Sequence, residues 1–74
     1  MNTPMMSVNL TPRQLDVVAS IARSEKLSTI ARRWGRSEKT AEFHRVQAQR
    51  KLGISPGDTA ALTRYAIRER LVRA

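Results

Sequence analysis

The chain has 74 residues, no cysteine and one histidine, enough for a single small domain and too little for a disulfide scaffold, a thiolate metal site or a multi-histidine metal centre. Fourteen lysines and arginines against six acidic residues give a net charge of +8, a surplus that points to a polyanionic partner. No apolar run approaches the ~20 residues of a membrane span, and the first nine residues lack the basic start and apolar middle of a signal peptide, so no membrane partner is expected and the cytoplasm is the expected compartment.

Residues 1–9 show no hydrophobic period and read as a flexible N-terminal arm, followed by one domain over residues 10–74. Leu10-Thr11-Pro12-Arg13-Gln14 is a helix start: Thr11 can cap, Pro12 suits the first helical position and Gln14 completes a capping box. The apolar residues Leu15, Val17, Val18, Ala19, Ile21 and Ala22 predict a helix to about Arg23, packed between neighbours. Ser24 to Lys26 interrupts the pattern without Gly or Pro, leaving Ser24, Glu25 and Ser28 as alternative caps for the next helix. Leu27, Ile30, Ala31 and Trp34 then recur at three- and four-residue spacing, and Gly35 can end that helix. Trp34 reads as a core plug.

Ser37 caps a longer helix over 37–52, with Glu38 in its first turn. A helix that begins two residues after a glycine stop must cross its predecessor steeply, which is a helix-turn-helix. Between Arg23 and Lys51 lie nine basic residues against three acidic ones, so most of the net charge belongs to this unit and nucleic acid is the expected partner. On the second helix, Ala41, Ala48 and Leu52 share a packing face flanked by His44 and Arg45. Lys39, Glu42, Phe43, Val46, Gln47 and Arg50 are expected opposite. In a major groove Phe43 and Val46 would meet thymine methyls, Gln47 adenine, and Lys39 a guanine or a phosphate. Arg50 is better placed for backbone than for bases.

Gly53 ends the long helix, Ile54 to Asp58 forms a turn with Ser55 or Asp58 as cap, and a last helix is expected from about Thr59 to Arg70. Its apolar face of Ala61, Leu62, Tyr65, Ala66 and Ile67 is wide enough to close the core and offer a surplus to a second copy. There is no nucleophile with a base partner, no paired carboxylates, no phosphate-cradling loop and no metal cluster in the sequence, so neither catalysis nor a cofactor is expected.

With LTPR at 10–13, IARRWG at 30–35, SEKT at 37–40, His44, RKLGIS at 50–55 and RYAIRERLV at 64–72, the chain resembles the LuxR/FixJ-type (GerE-like) helix-turn-helix family in its stand-alone form. The resemblance implies an all-α fold of four helices and a transcriptional regulator whose third helix reads double-stranded DNA. It also implies homodimers formed by the fourth helix. Lys39, Glu42, Phe43, Val46 and Gln47 are the expected base readers. Arg32, Arg36, Ser37, Thr40, His44, Arg45, Arg50 and Lys51 are the expected phosphate contacts, and Leu62, Tyr65, Ala66 and Glu69 the expected dimer contacts. Another transcription regulator or RNA polymerase is the further kind of partner implied.

The chain departs from the family pattern in Glu42, where a basic residue is common, and in Phe43, Ala41, Ala48 and Gln49. Pro56-Gly57 looks like a two-residue insertion before the last helix. Glu42 and Phe43 motivate an alternative: a protein-binding antagonist or adaptor that retains the fold and uses this face against another regulator.

Overall fold

The computed structural model describes residues 9–73. Among them are four helices and no strand: α1 (Pro12–Ala22), α2 (Leu27–Trp34), α3 (Glu38–Leu52) and α4 (Thr59–Arg68), the all-α architecture expected. Of the expected arm over residues 1–9, all but Asn9 lies outside the described residues.

Local chemistry sets most boundaries. Thr11 Oγ1 accepts from the Gln14 amide at 3.2 Å and Gln14 Oε1 accepts from the Thr11 amide at 3.0 Å, a complete capping box with Pro12 behind it. Gly35 (φ +68°) and Gly53 (φ +70°) end α2 and α3 in the left-handed region that glycine enters freely. Asp58, not Ser55, caps α4, its carboxylate accepting from the Ala61 amide at 2.9 Å.

The exit from α1 departs from expectation. Ser24 itself takes the left-handed conformation (φ +68°), so that the Glu25 amide reaches the Ser20 carbonyl at 3.0 Å, a Schellman turn made without glycine. None of Ser24, Glu25 and Ser28 caps α2. Lys26 holds the extended position before its first residue and contributes no side-chain bond. α4 likewise stops at Arg68, two residues early, because Arg70 turns left-handed (φ +60°) and the Leu71 amide bonds back to the Ala66 carbonyl at 2.8 Å.

α1 is the shared wall of the fold. α4 packs along one side of it and α3 along another, while α2 lies chiefly on α3 and touches α1 little. The interior is Val17 and Val18 of α1, Ile30 and Ala31 of α2, Ala41 and Ala48 of α3, and Leu62 and Ala66 of α4. Half of these side chains are alanine, which lets the helix axes approach closely at little side-chain entropy. Leu15 and Ile67, counted with the apolar faces of their helices in the sequence, stand exposed. The face of α4 is consequently narrower than expected, since Leu71 and Val72 beyond its end supply part of the seal.

A polar bridge makes good the sparse packing between α1 and α2. The Asp16 carboxylate accepts from Trp34 Nε1 at 2.5 Å and from Arg33 at 3.0 Å, and Arg33 also donates to Ser20 Oγ at 2.7 Å and to Glu25 at 2.7 Å. Trp34 is therefore half-buried and directional rather than a plain core plug: its ring carries the Arg13 guanidinium at 4.5 Å on the α1 side.

Partial burial pushes the Asp16 carboxyl up, but the bonds from Trp34 and Arg33, together with the Arg33 charge, outweigh it and hold the group below its ordinary value. A carboxyl lowered in the folded state stabilises the fold above its unfolded value near pH ~3.9, and that contribution is lost as the pH falls through the folded value. The melting temperature should accordingly drop as the pH is lowered from about 5 to about 2. Asp16→Asn should melt below the parent at pH 7 and show a flatter acid limb, measured by circular dichroism. A parent and variant with parallel pH curves would remove the Asp16 bridge as a stabilising contact.

Candidate nucleic-acid interface

The turn between α2 and α3 determines what α3 can present. With Gly35 left-handed, the Arg36 amide bonds back to the Ala31 carbonyl at 2.9 Å. Ser37 is extended, and its Oγ accepts from the Thr40 amide at 3.2 Å. α3 then runs across α2 with Ala41 and Ala48 inward. At about 100° per residue, this leaves Lys39, Phe43, Val46, Gln47 and Arg50 along one outward strip. Lys39, Phe43 and Arg50 are exposed, and Val46 and Gln47 half-buried. Phe43 is 57% exposed, unusual for a large apolar side chain amid polar neighbours.

Phe43 is nonetheless not loose. Its ring meets His44 edge-on at 5.5 Å, and His44 meets Trp34 edge-on at 5.6 Å. With Arg13 on the far side of Trp34, a row of four side chains from α1, α2 and α3 ends at the outward strip. Arg32 lies in the last turn of α2, and Arg36, Ser37 and Thr40 in the turn and first turn of α3 that lead into the strip. Arg32, Arg36, Lys39 and Arg50 are exposed and have no ion-pair partner among the described residues, whereas Arg33 is engaged in the bridge to α1.

Three of the expected contact residues are held elsewhere. Glu42 borders the strip, about 40° around the helix from Val46, but its carboxylate is paired with Arg45. Arg45 donates to the Glu42 carboxylate (Nε to Oε1, 2.8 Å), to the Gln49 side-chain carbonyl, and to the Pro56 carbonyl at 2.9 Å. Gln49, 1% exposed, donates to the Ser55 carbonyl at 2.7 Å. The Arg45 bonds hold the Glu42 carboxyl below its ordinary value and raise the Arg45 guanidinium in turn. Glu42, Arg45 and Gln49 thus form one cluster with the Ser55 and Pro56 carbonyls that fastens α3 to the turn before α4. Lys51 is likewise engaged, donating to the Asn9 carbonyl and to Gln14 Oε1, both at 2.9 Å.

The expected dimer contacts also divide. Leu62 (1% exposed) and Ala66 (0%) are inside the core and unavailable to a partner. Their side of α4 packs in the core, where α4 lies along α1. Tyr65 and Glu69 stay at the surface, half-buried and exposed. Burial, followed by the nearby Glu69 charge, raises the Tyr65 phenol. No group of His, Asp or Glu that could hold a metal ion occurs among the described residues, and no described helix is long and apolar enough to cross a membrane.

A short helix and a glycine turn set a longer helix across it, outward strip exposed and both backed by flanking helices: this is a helix-turn-helix domain. The profile of the bacterial regulatory proteins of the luxR family (GerE) matches residues 8–66, and the chain belongs to that family, a class of DNA-binding transcription regulators. Over 58 residues it is 41% identical to the transcriptional regulatory protein MctR of Rhizobium johnstonii, an alignment that covers 78% of this chain and 26% of that protein. The chain therefore spans about a quarter of the length of that curated relative. No solved structure matches.

The clamp has a measurable consequence. Arg45→Ala removes the donor to the buried Gln49 carbonyl and should cost about 1–3 kcal/mol of stability. Glu42→Ala removes only the more exposed member and should cost less than about 1 kcal/mol. Urea unfolding of both variants checks the order, and equal costs would mean that Arg45 does not anchor the turn.

Proposed function

We propose that this domain binds double-stranded DNA by placing α3 in the major groove, with Lys39, Phe43, Val46 and Gln47 at the base edges. The observation that carries this reading is the outward strip of α3: one exposed aromatic, one adjacent amide and unpaired cations at either end, delivered by a capped turn. Phe43 and Val46 would contact thymine methyl groups, and Gln47 would bond adenine. Arg32, Arg36, Ser37, Thr40 and Arg50 would hold phosphates, with His44 at the margin. Glu42, Arg45 and Lys51 are assigned to support instead of contact. Glu42, already neutralised by Arg45, brings little repulsion to a nearby phosphate.

A homodimer through the flank of α4 that carries Ala61, Tyr65 and Glu69 would present two copies of α3. Antiparallel pairing would set Glu69 against Arg64 or Arg68 of the other copy. Such a regulator works where bacterial DNA is, in the cytoplasm.

Fluorescence anisotropy of labelled duplexes across a salt series tests the reading. With about five phosphates neutralised per dimer, log K should fall against log salt with a slope of roughly −4 to −5. Arg36→Ala should weaken all sequences alike and flatten the slope by about 1. Gln47→Ala should lose about 1–3 kcal/mol of sequence preference with little change in slope. A slope near −1 in a folded protein would overturn DNA reading and favour the use of Phe43 and Val46 against another protein. Sedimentation at the same concentrations reports the dimer.

A further inference from the structure

The C-terminal ends of α1 and α4 enclose a groove of about 750 Å³ that takes no residue from α2 or α3. Ile67, Leu71 and Val72 give it an apolar lining, here called its floor, and Arg23, Arg70 and Arg73 line it with guanidiniums, here called its rim. All three arginines are exposed. None pairs with a carboxylate among the described residues, and no acidic side chain lines the groove. The backbone gives the groove its shape. Arg70, held left-handed at φ +60°, with Leu71 bonded back to Ala66, folds residues 71–73 over the end of α1 instead of continuing α4 outward. That conformation costs a residue other than glycine roughly 1–2 kcal/mol, and a residue kept there against its preference is a reason to look for a use.

Charge and chemistry together select the occupant. The six acidic residues of a second copy are scattered, no two within three positions of one another, so it offers no short segment that could pair all three guanidiniums. A sugar-phosphate backbone would satisfy the guanidiniums but leave the floor of Ile67, Leu71 and Val72 without an apolar partner. A peptide that alternates carboxylates with bulky apolar side chains satisfies both. We propose that this groove docks an acidic amphipathic segment of a partner protein, with its apolar side chains on Ile67, Leu71 and Val72 and its carboxylates on Arg23, Arg70 and Arg73. Because α3 contributes nothing to the groove, the partner and a duplex can be held at once. The assignment stands whether or not α3 reads DNA.

Nitrogen-15-labelled full chain titrated with a short synthetic peptide of alternating Glu and Leu tests it, alongside one peptide with Ser for Leu and another with Lys for Glu. The Glu/Leu peptide should move the amide resonances of Ile67, Leu71 and Val72 and leave Lys39, Phe43 and Gln47 in place. Neither control peptide should bind. The double variant R23E/R73E alters two exposed side chains and should weaken the peptide about tenfold or more. If that variant loses its circular-dichroism signal, Ile67→Ser, in the groove floor, takes its place with the same expected loss. Four results would overturn the proposal: shifts centred on α3, equal binding of the Ser peptide, unchanged affinity in a folded variant, or a DNA duplex that moves the groove resonances before those of α3.

Discussion

The Asp16 carboxylate is the contact on which the geometry of this domain turns. α2 meets α1 only sparsely, yet α2 carries the turn that aims α3, so the position of that turn depends on what ties α2 to the rest. Asp16 supplies the tie with bonds from Trp34 and Arg33, and Trp34 is the second member of the Arg13-Trp34-His44-Phe43 row. A side chain at the outward strip is thereby registered against α1 through polar and aromatic contacts, because a core half made of alanine has few large side chains to do it. A small domain without disulfides has limited means of fixing helices relative to one another, and directional bonds to one carboxylate are an economical one.

The basic residues fall into two populations that net charge alone does not separate. Arg33, Arg45 and Lys51 are engaged inside the fold, holding α1 to α2, α3 to the turn before α4, and the end of α3 to the start of α1. Arg32, Arg36, Lys39 and Arg50 remain free at the surface of the helix-turn-helix unit. A field strong enough to steer a polyanion thus coexists with a smaller set of cations able to touch one.

What could be read in the sequence was what is decided locally. The capping box at Thr11, the glycine stops at 35 and 53, and the caps at Ser37 and Asp58 each lie within a few residues of the groups they satisfy. The four helices follow from them together with the apolar spacing. The exit of α1 was not legible, since Ser24 makes a turn for which glycine is the usual signal and Lys26 begins α2 without a side-chain bond. Nor was the clamp of Glu42, Arg45 and Gln49. Its acceptors are carbonyls of a turn whose path no periodicity predicts, so Glu42 read as a free carboxylate. Leu62 and Ala66 read as surplus because the sequence does not say how much of α4 the wall of α1 consumes. The outward strip of α3 was legible in outline, since a helical period places Lys39, Phe43, Val46, Gln47 and Arg50 together.

The ammonium group of Lys51 also has a mechanical meaning. It bonds at once to the backbone of Asn9, where the described chain enters the fold, and to Gln14, the residue that closes the capping box of α1. The last turn of α3 and the chain's point of entry therefore behave as one linkage. The end of the outward-facing helix is thus moored to the start of α1 by one side chain at two points, both outside the apolar core.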